Sequence, residues 1–453
     1  YCSDGQPSFI YNRLKLLSGR EETVSCQYGA ALTDAWEAAA LLYANDAESD
    51  AKALGLESTF SYLDSCENHT IGAIAEETVK KLYGDRLRLS ASQIDRLAEC
   101  RMSYFLKYGL KAKERKAAKI DPAEFGTYVH AVLEECGKAV VELGGFPNVS
   151  LEQTLEIASD ISAKYFAENF SQISNERIAY HFQKNTREVH YIVKELWREL
   201  QRSQFQPVDF ELQFGGQGVM PSITVTGKKM QAELGGFVDR VDCWMHNDKP
   251  YVRVVDYKTG KKDFDYCDVT NGIGLQMLLY LYALEDGGAV LFGDNPIVAG
   301  VQYFPARVPL LAAEGSMTAQ EADEAHIKEL KRKGLILSDE FVLQAMEPGE
   351  EPRCLCIKRT KDGTVSGDIA SSHQFAQLKK YIYKILENIV DDIASGNVTP
   401  NPYTRGSSHN ACAFCPYGSI CHNKSVEGRR NYKAMKADRF WEEVRKEMTE
   451  NGR

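Results

Sequence analysis

The sequence predicts an α/β or α+β fold, because helical patterns come first, a run of strands follows, and a helix–strand–helix series completes the chain. Its 453 residues, 43% of them hydrophobic, are enough for a large core and for more than one domain. The net charge of −10 argues against a uniformly basic surface, but it permits a local basic channel. No apolar run approaches the ~18 residues of a membrane span, so we expect a soluble, cytoplasmic protein.

The first half of the chain is predicted to be mostly helical. Residues 1–85 are rich in helix formers and carry no chemical motif. The chain starts with Tyr1 and not with Met, and no secretory or transit signal follows, so we expect a piece of a longer polypeptide. Ser90 is a suitable cap for the next helix. The predicted helices here cover residues 33–43, 92–106, 123–142 and 150–203.

The second half alternates strands and helices. Alternating apolar residues predict strands that begin near Val208 and recur at 222–234, 236–245, 251–258 and 297–304. Helical patterns return at 272–284, 317–334 and 371–394, and a helical tail is expected over 426–453. This order predicts a sheet with helices packed against it.

Two lysine-rich segments bear on the class of protein. The basic stretch at residues 107–119 is either a solvated helix face, which is the commoner case, or a contact with a nucleic-acid backbone. Thr226-Gly-Lys-Lys229 lacks the glycine spacing of a phosphate-binding loop. We therefore expect no ATP site in this segment of the chain.

The most informative chemical pattern is a predicted hairpin that brings two carboxylates together. With residues 247–248 as a two-residue turn, the cross-strand register places Asp239 opposite Asp256. The alternation of side chains along a strand puts Lys258 on the same face as both aspartates. The same register pairs Asp242 with Arg253 on the opposite face.

Facing aspartates repel each other, so this arrangement needs a compensating cation. A divalent metal ion would supply it, and the ammonium group of Lys258 would help. The alternative is that these charged residues lie at a solvent-exposed strand end and have no functional role, which is the usual explanation of an isolated Asp-x-Lys.

Three further polar side chains could complete a site. His130 lies on a predicted amphipathic helix, four residues before Glu134. Gln276 and Tyr280 share one face of a later helix, one turn apart. A lone helical histidine is more often structural than a ligand, and the Gln–Tyr pair alone is weak evidence.

The twelve cysteines, without an export signal, favour buried thiols and one metal or cluster site over disulfides. Cys412, Cys415 and Cys421 lie within ten residues of one loop. A four-coordinate site needs one more ligand, and a structural zinc site would normally provide a second local pair, which the sequence lacks. Iron–sulfur clusters tolerate such irregular spacing. Cys100 is a candidate for the fourth thiolate, and the spacing alone does not separate it from the other eight cysteines.

In combination, these motifs resemble those of the RecB-family PD-(D/E)XK nucleases, in the same order along the chain. The motifs are Gly126-x-x-x-His130, Gly236-Phe-Val-Asp239-Arg-Val-Asp242, Asp256-Tyr-Lys258 and Gln276-x-x-x-Tyr280. The cysteine arrangement, with one cysteine before these motifs and Cys-x2-Cys-x5-Cys after them, resembles that of the C-terminal nuclease domain of AddB-type helicase–nuclease subunits. The resemblance covers about residues 86–425 and departs from the family at Arg101, where many members have proline.

The resemblance implies a PD-(D/E)XK restriction-endonuclease-like core, which is a central mixed sheet flanked by helices, with a helical N-terminal region and a C-terminus stapled by an iron–sulfur cluster. The implied ligands of Mg²⁺ or Mn²⁺ are His130, Asp239, Asp256 and the backbone carbonyl of Tyr257. Lys258 would orient or activate the attacking water, and Gln276 and Tyr280 would support the site or the DNA. The implied ligands of a structural [4Fe-4S] cluster are Cys100, Cys412, Cys415 and Cys421.

The resemblance also implies a metal-dependent DNA exonuclease domain within an ATP-dependent helicase–nuclease that resects double-strand breaks for recombinational repair. Its partners would be an AddA-type subunit and a single-stranded DNA end. Residues 1–85 would be a remnant of a preceding helicase-like region, 86–425 the nuclease domain, and 426–453 a helical tail. Two alternatives are a catalytically silent DNA-binding scaffold, disfavoured by the intact acidic residues and lysine, and a stand-alone Cas4-like nuclease, disfavoured by the upstream helical region.

Overall fold

The structure is a computed structural model of the chain. It describes residues 39–45, 47–67, 72–113, 122–170, 176–309, 311, 318–360, 364–406, 409–421 and 428–450. Two compact units divide between residues 71 and 72. The smaller unit contains the helices Glu48–Ala53 and Glu57–Glu67, and residues 39–44 are also helical. The predicted helix at 33–43 therefore begins outside the described residues, and its described part is helical.

The larger unit carries the elements that position the candidate site. Its described helices, α1–α14, are Glu76–Tyr83, Ala91–Glu99, Arg101–Tyr104, Pro122–Glu142, Leu151–Phe170, Glu176–Arg202, Tyr266–Thr270, Gln276–Gly287, Ala289–Phe292, Ala319–Glu329, Glu340–Met346, Ser372–Ala394, Gly418–Cys421 and Ala437–Glu450. Its described strands, β1–β14, are Arg86–Leu89, Gln206–Phe214, Ile223–Thr226, Gln231–Leu234, Gly236–His246, Lys249–Lys258, Ile297–Pro305, Lys333–Leu337, Ile357–Arg359, Val365–Gly367, Ile369–Ala370, Tyr403–Arg405, His409–Asn410 and Arg430–Asn431. None of the described helices is long and apolar enough to cross a membrane.

A six-stranded mixed sheet, in the order β11-β8-β7-β6-β5-β2, forms the centre of this unit. Helices cover both faces, and consecutive residues of β6 show this most clearly. Val254 packs in one core with Leu278 of α8 and Leu378 of α12. Val255 packs in a second core with Val129 of α4. Because β6 is buried on both sides, it carries valines on both faces, with Val252 and Val254 on one and Val255 on the other. The predicted sheet with flanking helices is confirmed.

The register of the predicted hairpin is also confirmed. Asn247 and Asp248 both have positive φ, 49° and 59°, as the two central residues of a tight type I′ turn require. The strands on either side pair antiparallel, with Val241 opposite Val254. Two small polar turn residues therefore fix which side chains of β5 and β6 share a face.

Several predicted elements were wrong in extent, among them the tail at 426–453, which within the described residues is helical only over Ala437–Glu450. The strand pattern at 222–234 forms two strands, β3 and β4, and β4 pairs with both β3 and β1 in a separate three-stranded sheet. The helix predicted over 317–334 ends at Glu329, and Lys333 begins β8. Gly334 gives the physical reason, because a Cβ there would lie 2.0 Å from the Val301 carbonyl oxygen of the neighbouring strand. A residue that lets two strands approach this closely is also a poor helix former.

The helix predicted over 92–106 is interrupted at Cys100. Ser90 caps α2 as predicted, because its Oγ accepts from the Gln93 N–H and the Gln93 side chain accepts from the Ser90 N–H. The helix then ends, and α3 is followed by the π-helix Phe105–Gly109. The basic stretch at 107–119 begins in that π-helix, and its residues from 114 onward lie outside the described part of the chain.

Behind the hairpin, the sheet buries a cluster of charged side chains. Arg253 Nε lies 2.8 Å from Asp242 Oδ2, as the register predicts, and Arg253 Nη2 lies 2.9 Å from Glu199 Oε1. Burial alone would raise the pKa of Glu199, but Arg332, Arg253 and Arg240 outweigh it and lower the pKa to about 2. Glu199 is therefore ionised at neutral pH and is paired with the guanidinium groups around it.

We expect Arg253→Leu to lower the free energy of unfolding by about 3 kcal/mol or more, because it leaves two buried carboxylates with one guanidinium fewer. Urea denaturation monitored by circular dichroism measures the change. The matched control is Arg86→Leu, since the Arg86 side chain is 67% exposed and its ion pair with Glu233 should contribute little. Equal stability of the two variants would contradict the structural role of the cluster.

Candidate active site

Two aspartates lie close together where β5 begins and β6 ends. Asp239 and Asp256 flank the cross-strand pair formed by Arg240 and Val255. The backbone N–H of Tyr257 donates a hydrogen bond of 2.6 Å to Asp239 Oδ2. Burial raises the pKa of Asp239 to about 7, and repulsion from Asp256 adds to this shift. Two carboxylates in this arrangement need a cation to be ionised together.

His130 reaches the aspartates from helix α4. Its neighbour Val129 is fully buried in the second core, which fixes the helix against the sheet. His130 Nε2 lies 2.9 Å from the Tyr257 carbonyl oxygen, and Nδ1 lies 3.6 Å from Asp239 Oδ2. Burial lowers the pKa of His130, which favours the neutral imidazole that a metal ion requires. The structure therefore brings the histidine to the hairpin that carries the acids.

Lys258 extends from the end of β6 to the same place. Its Nζ lies 2.6 Å from Asp256 Oδ2, and the Asp256 side chain is only 8% exposed. Among the described residues, this ammonium group is the only polar partner of that buried oxygen. A carboxylate with so few partners keeps lone pairs for a metal ion or a water molecule.

Gln276 and Tyr280 of α8 support the start of β5. Burial raises the pKa of Tyr280 to about 12, and the nearby Gln276 side chain and Phe237 backbone act in the opposite direction. Gly236 makes the approach of Tyr280 possible, because a Cβ there would lie 1.9 Å from the Tyr280 hydroxyl oxygen. The pair thus positions the strand that carries Asp239.

One acidic residue near the site escaped the sequence interpretation. The neighbours of Glu211 on β2 pair with Arg240 and Val238, which places Glu211 opposite Asp239. Ligand atoms of His130, Glu211 and Asp239 all lie within 4.8 Å of one another. Burial raises the pKa of Glu211, and the charge of Asp239 raises it further. The alternation of β2 was visible in the sequence, but nothing there indicated which residue it would face.

The donor set fits a hard divalent cation. Carboxylate oxygens from Asp239, Asp256 and Glu211, the Tyr257 carbonyl oxygen and the His130 imidazole are ligands that Mg²⁺ or Mn²⁺ accepts. Burial raises the pKa values of Asp239 and Glu211, and repulsion from a neighbouring carboxylate adds to the shift of each. A bound cation would offset that repulsion.

The raised pKa of Asp239 predicts how stability depends on pH without metal. Because the folded-state pKa of about 7 exceeds the ordinary value of 3.8, the folded chain keeps a proton that the unfolded chain has lost between these pH values. The contribution of this proton to the free energy of unfolding is therefore fully present below about pH 4 and is lost as the pH rises towards 7. Between pH 5.5 and 8 in EDTA, we expect this group to cost about 2 kcal/mol of unfolding free energy.

Urea titrations of the unmodified chain and of Asp239→Asn at the two pH values isolate this effect. The variant should gain about 2 kcal/mol relative to the unmodified chain on going from pH 5.5 to 8. Mn²⁺ should stabilise the unmodified chain at pH 8 and stabilise the variant much less. A stability difference that does not change with pH would contradict the assigned environment of Asp239.

Four cysteines line a second polar site. Cys100, at the junction of α2 and α3, and Cys412, Cys415 and Cys421 face one cavity of about 160 Å³. Burial raises the pKa of the Cys412 thiol, and the three neighbouring thiols raise it further. Four thiols around one cavity are a donor set that fits an iron–sulfur cluster or a tetrahedral metal ion. The other cysteines in the described part of the chain do not line this cavity.

Arg101, where the sequence departs from the resembled family, has a structural function of its own. Its backbone N–H donates to Asn401 Oδ1 at 2.8 Å, and its Nε lies 2.5 Å from Asp392 Oδ2. A proline could make neither contact. These two bonds join the Cys100 turn to the segment that leads to the other three cysteines.

Comparison with known proteins agrees with the fold. Residues 88–422 match the PD-(D/E)XK nuclease superfamily. A protein of Clostridium novyi, named as a subunit of an ATP-dependent helicase/deoxyribonuclease, is 31% identical over 409 residues, which is 87% of this chain and 36% of the relative. The protein of the same name from Acetivibrio thermocellus is 29% identical over 446 residues, 93% of this chain and 37% of the relative. The chain thus spans about a third of the length of these relatives. It belongs to the PD-(D/E)XK nuclease superfamily.

Proposed function

We propose that this chain is a metal-dependent deoxyribonuclease, the nuclease part of a helicase–nuclease that processes DNA ends. The observation that supports this most directly is the convergence of His130, Glu211 and Asp239, with the pair formed by Asp256 and Lys258 on the neighbouring strand. A purely structural cluster would pair its acids with guanidinium groups, as the one behind the hairpin does. This cluster has an excess of acids at the edge of the sheet.

The proposed metal ligands are His130, Asp239, Asp256 and the Tyr257 carbonyl oxygen, with Glu211 as an additional carboxylate. The chemistry that a divalent ion supplies when bound there is a lowered pKa of water and neutralisation of charge on the phosphate. Lys258 orients the attacking water and donates hydrogen bonds to the oxygen that gains charge.

The lysine and the supporting helix have separate tasks in this proposal. Asp256, 2.6 Å from Lys258 Nζ, holds the ammonium group at the reacting position. Tyr280 and Gln276 hold the start of β5 and so keep Asp239 in register with Asp256. Loss of the Tyr280 hydroxyl or of the Gln276 amide should therefore lower the cleavage rate less than loss of the carboxylate of Asp239 or Asp256.

We also propose that Cys100, Cys412, Cys415 and Cys421 bind a [4Fe-4S] cluster with a structural role. The relatives are named as one subunit of a helicase/deoxyribonuclease, which supports an assembly with a second subunit, here proposed to be of AddA type, and with a single-stranded DNA end. Exonuclease action, double-strand-break resection and coupling to ATP hydrolysis belong to this proposal, as do the domain bounds 1–85, 86–425 and 426–453.

The test is a nuclease assay on the complete two-subunit complex, with labelled single-stranded DNA, in Mg²⁺, in Mn²⁺ and in EDTA. We expect cleavage in both metals and none in EDTA, with the partner subunit's own nuclease residues inactivated. DNA binding without cleavage in any metal would instead support a silent scaffold.

A further inference from the structure

A groove lined by basic side chains adjoins the candidate active site on the side of Lys258. Its cavity measures about 410 Å³. The basic residues that line it are Lys258, Lys261, Lys262, Arg307, Lys331 and Lys333. Glu329 is the acidic residue in the same lining. We call this feature the basic groove.

Sheet topology explains why residues so far apart in sequence meet here. β6 and β7 are parallel, so their C-terminal ends reach the same edge of the sheet, with Lys258 beside Pro305. β8 is antiparallel to β7, so its first residues lie at that edge too, with Lys333 beside Tyr303. The loop after β6, the residue after β7 and the residues before β8 therefore form one surface.

The positive charge of the basic groove is only partly neutralised. Lys261 lies 3.9 Å from Glu329, Lys333 pairs with Asp263, and Arg307 lies 3.7 Å from Glu188. Within the part of the chain that the structure describes, Lys262 and Lys331 form no ion pair. In a chain of net charge −10, this concentration of cations is a local exception.

The opposite side of the active site has the opposite charge. Glu211 and Asp239 lie there beside His130, because the strand order places β5 and β2 on the other side of β6 from β7 and β8. Lys138 is the nearby cation, and it is held by Glu134 at 2.5 Å and by Glu135 at 3.6 Å. A polyanion that reaches the aspartates is therefore repelled on this side and attracted on the side of the basic groove.

The lining also indicates which part of a nucleic acid it would contact. Its aromatic residue, Tyr303, is only 7% exposed, so it offers no face for a base to stack on. The Lys261 side chain is 74% exposed, so it can move with the sugar–phosphate backbone of a flexible nucleic acid. Lysines on mobile side chains suit phosphate contacts without sequence preference.

We propose that the basic groove holds the phosphates of the DNA strand that flank the scissile phosphodiester, with Lys261, Lys262 and Lys331 as the main contacts. The proposal rests on the proposed function, because it assigns the strand path at the same site. It makes these lysines positioning residues that lower the KM for DNA, and it leaves the chemical step to the acids and Lys258.

The experiment measures binding of a labelled single-stranded oligonucleotide to the full chain in EDTA, by fluorescence anisotropy over a series of salt concentrations. For Lys262→Ala/Lys331→Ala we expect weaker binding and a log–log salt slope that is smaller by ~1.4, since each lost phosphate contact on a single strand removes ~0.7. The matched control is Lys80→Ala/Lys384→Ala, which removes two exposed lysines from helices α1 and α12. The control should keep the slope of the unmodified chain.

A second measurement separates this inference from the proposed function. In the complete complex with Mg²⁺, the groove variant should raise KM for DNA at nearly unchanged kcat. An unchanged slope together with an unchanged KM would overturn the strand path while leaving the nuclease intact. Absence of cleavage by the unmodified complex would overturn the proposed function, and the binding slopes would still decide the path. Full competition with the oligonucleotide by inorganic phosphate or a mononucleotide at low millimolar concentration would indicate a product site. That result would also overturn the proposed strand path.

Discussion

Asp256→Asn is expected to lower DNA cleavage by about 10³-fold, the equivalent of about 4 kcal/mol of transition-state stabilisation. The substitution removes a charge that would bind the metal and hold Lys258, whose Nζ lies 2.6 Å from it. The amide keeps the size of the side chain, so packing is preserved. Single-turnover rates with the complete complex in Mg²⁺ measure the effect.

Loss of folding cannot explain such a result, because the same change should not destabilise the chain. Asp256 repels Asp239 and contributes to the raised pKa of that group. Removing the charge relieves this repulsion, so the free energy of unfolding in EDTA at pH 8 should stay the same or rise. The matched control is Asp248→Asn, which makes the same chemical change in the turn of the same hairpin, where asparagine tolerates the φ of 59°.

Lys258→Ala should give a similar loss of activity with metal binding retained, since the ligands remain. The Mn²⁺-induced increase in melting temperature tests this difference between the two variants. Cleavage by Asp256→Asn or Lys258→Ala at the unmodified rate would contradict the site assignment. A shift in melting temperature that is lost in Lys258→Ala would place the lysine among the groups that hold the metal.

The hairpin could be predicted from the sequence because its geometry is local. A two-residue turn fixes the pairing of β5 and β6, and the pairing fixes that Asp239, Asp256 and Lys258 share a face. The choice of His130 from a long helix was not local, and it depended on the resemblance to a nuclease family. The structure supplies the independent reason, which is the 2.9 Å contact with the Tyr257 carbonyl oxygen.

Glu211 could not be predicted, for a physical reason. β2 joins β5 only across the separate hairpin of β3 and β4, so no tight turn fixes its register. A register shift between Pro207 and Asp209 also changes which residues of β2 face β5. The basic groove was hidden in the same way, because Lys262 and Lys331 meet only after β6, β7 and β8 have paired.

The cysteine site leads to the second large expected effect. Cys100 and Cys412 are more than 300 residues apart, so a group bound by both closes a very long loop. Such a constraint contributes about 6 kcal/mol in the chain-entropy description. Other contacts also join these segments, including the 2.8 Å bond from the Arg101 N–H to Asn401 and the 3.0 Å bond from the Tyr417 hydroxyl to the Ala112 carbonyl oxygen.

We therefore expect Cys412→Ala/Cys415→Ala to lose the absorbance near ~400 nm of a thiolate-bound iron–sulfur cluster and to unfold at markedly lower urea concentration. Cys356→Ala is the matched control, because Cys356 is exposed and lies outside the cavity. Anaerobic purification, iron and zinc analysis and urea titration measure the outcome. A colourless unmodified protein that carries one zinc ion would contradict the iron–sulfur cluster, but the four cysteines would still link the two ends of the domain through a metal. Equal stability of the unmodified protein, the double variant and the Cys356→Ala control would contradict any link between the two segments. A bound group that closes so long a loop must contribute to stability.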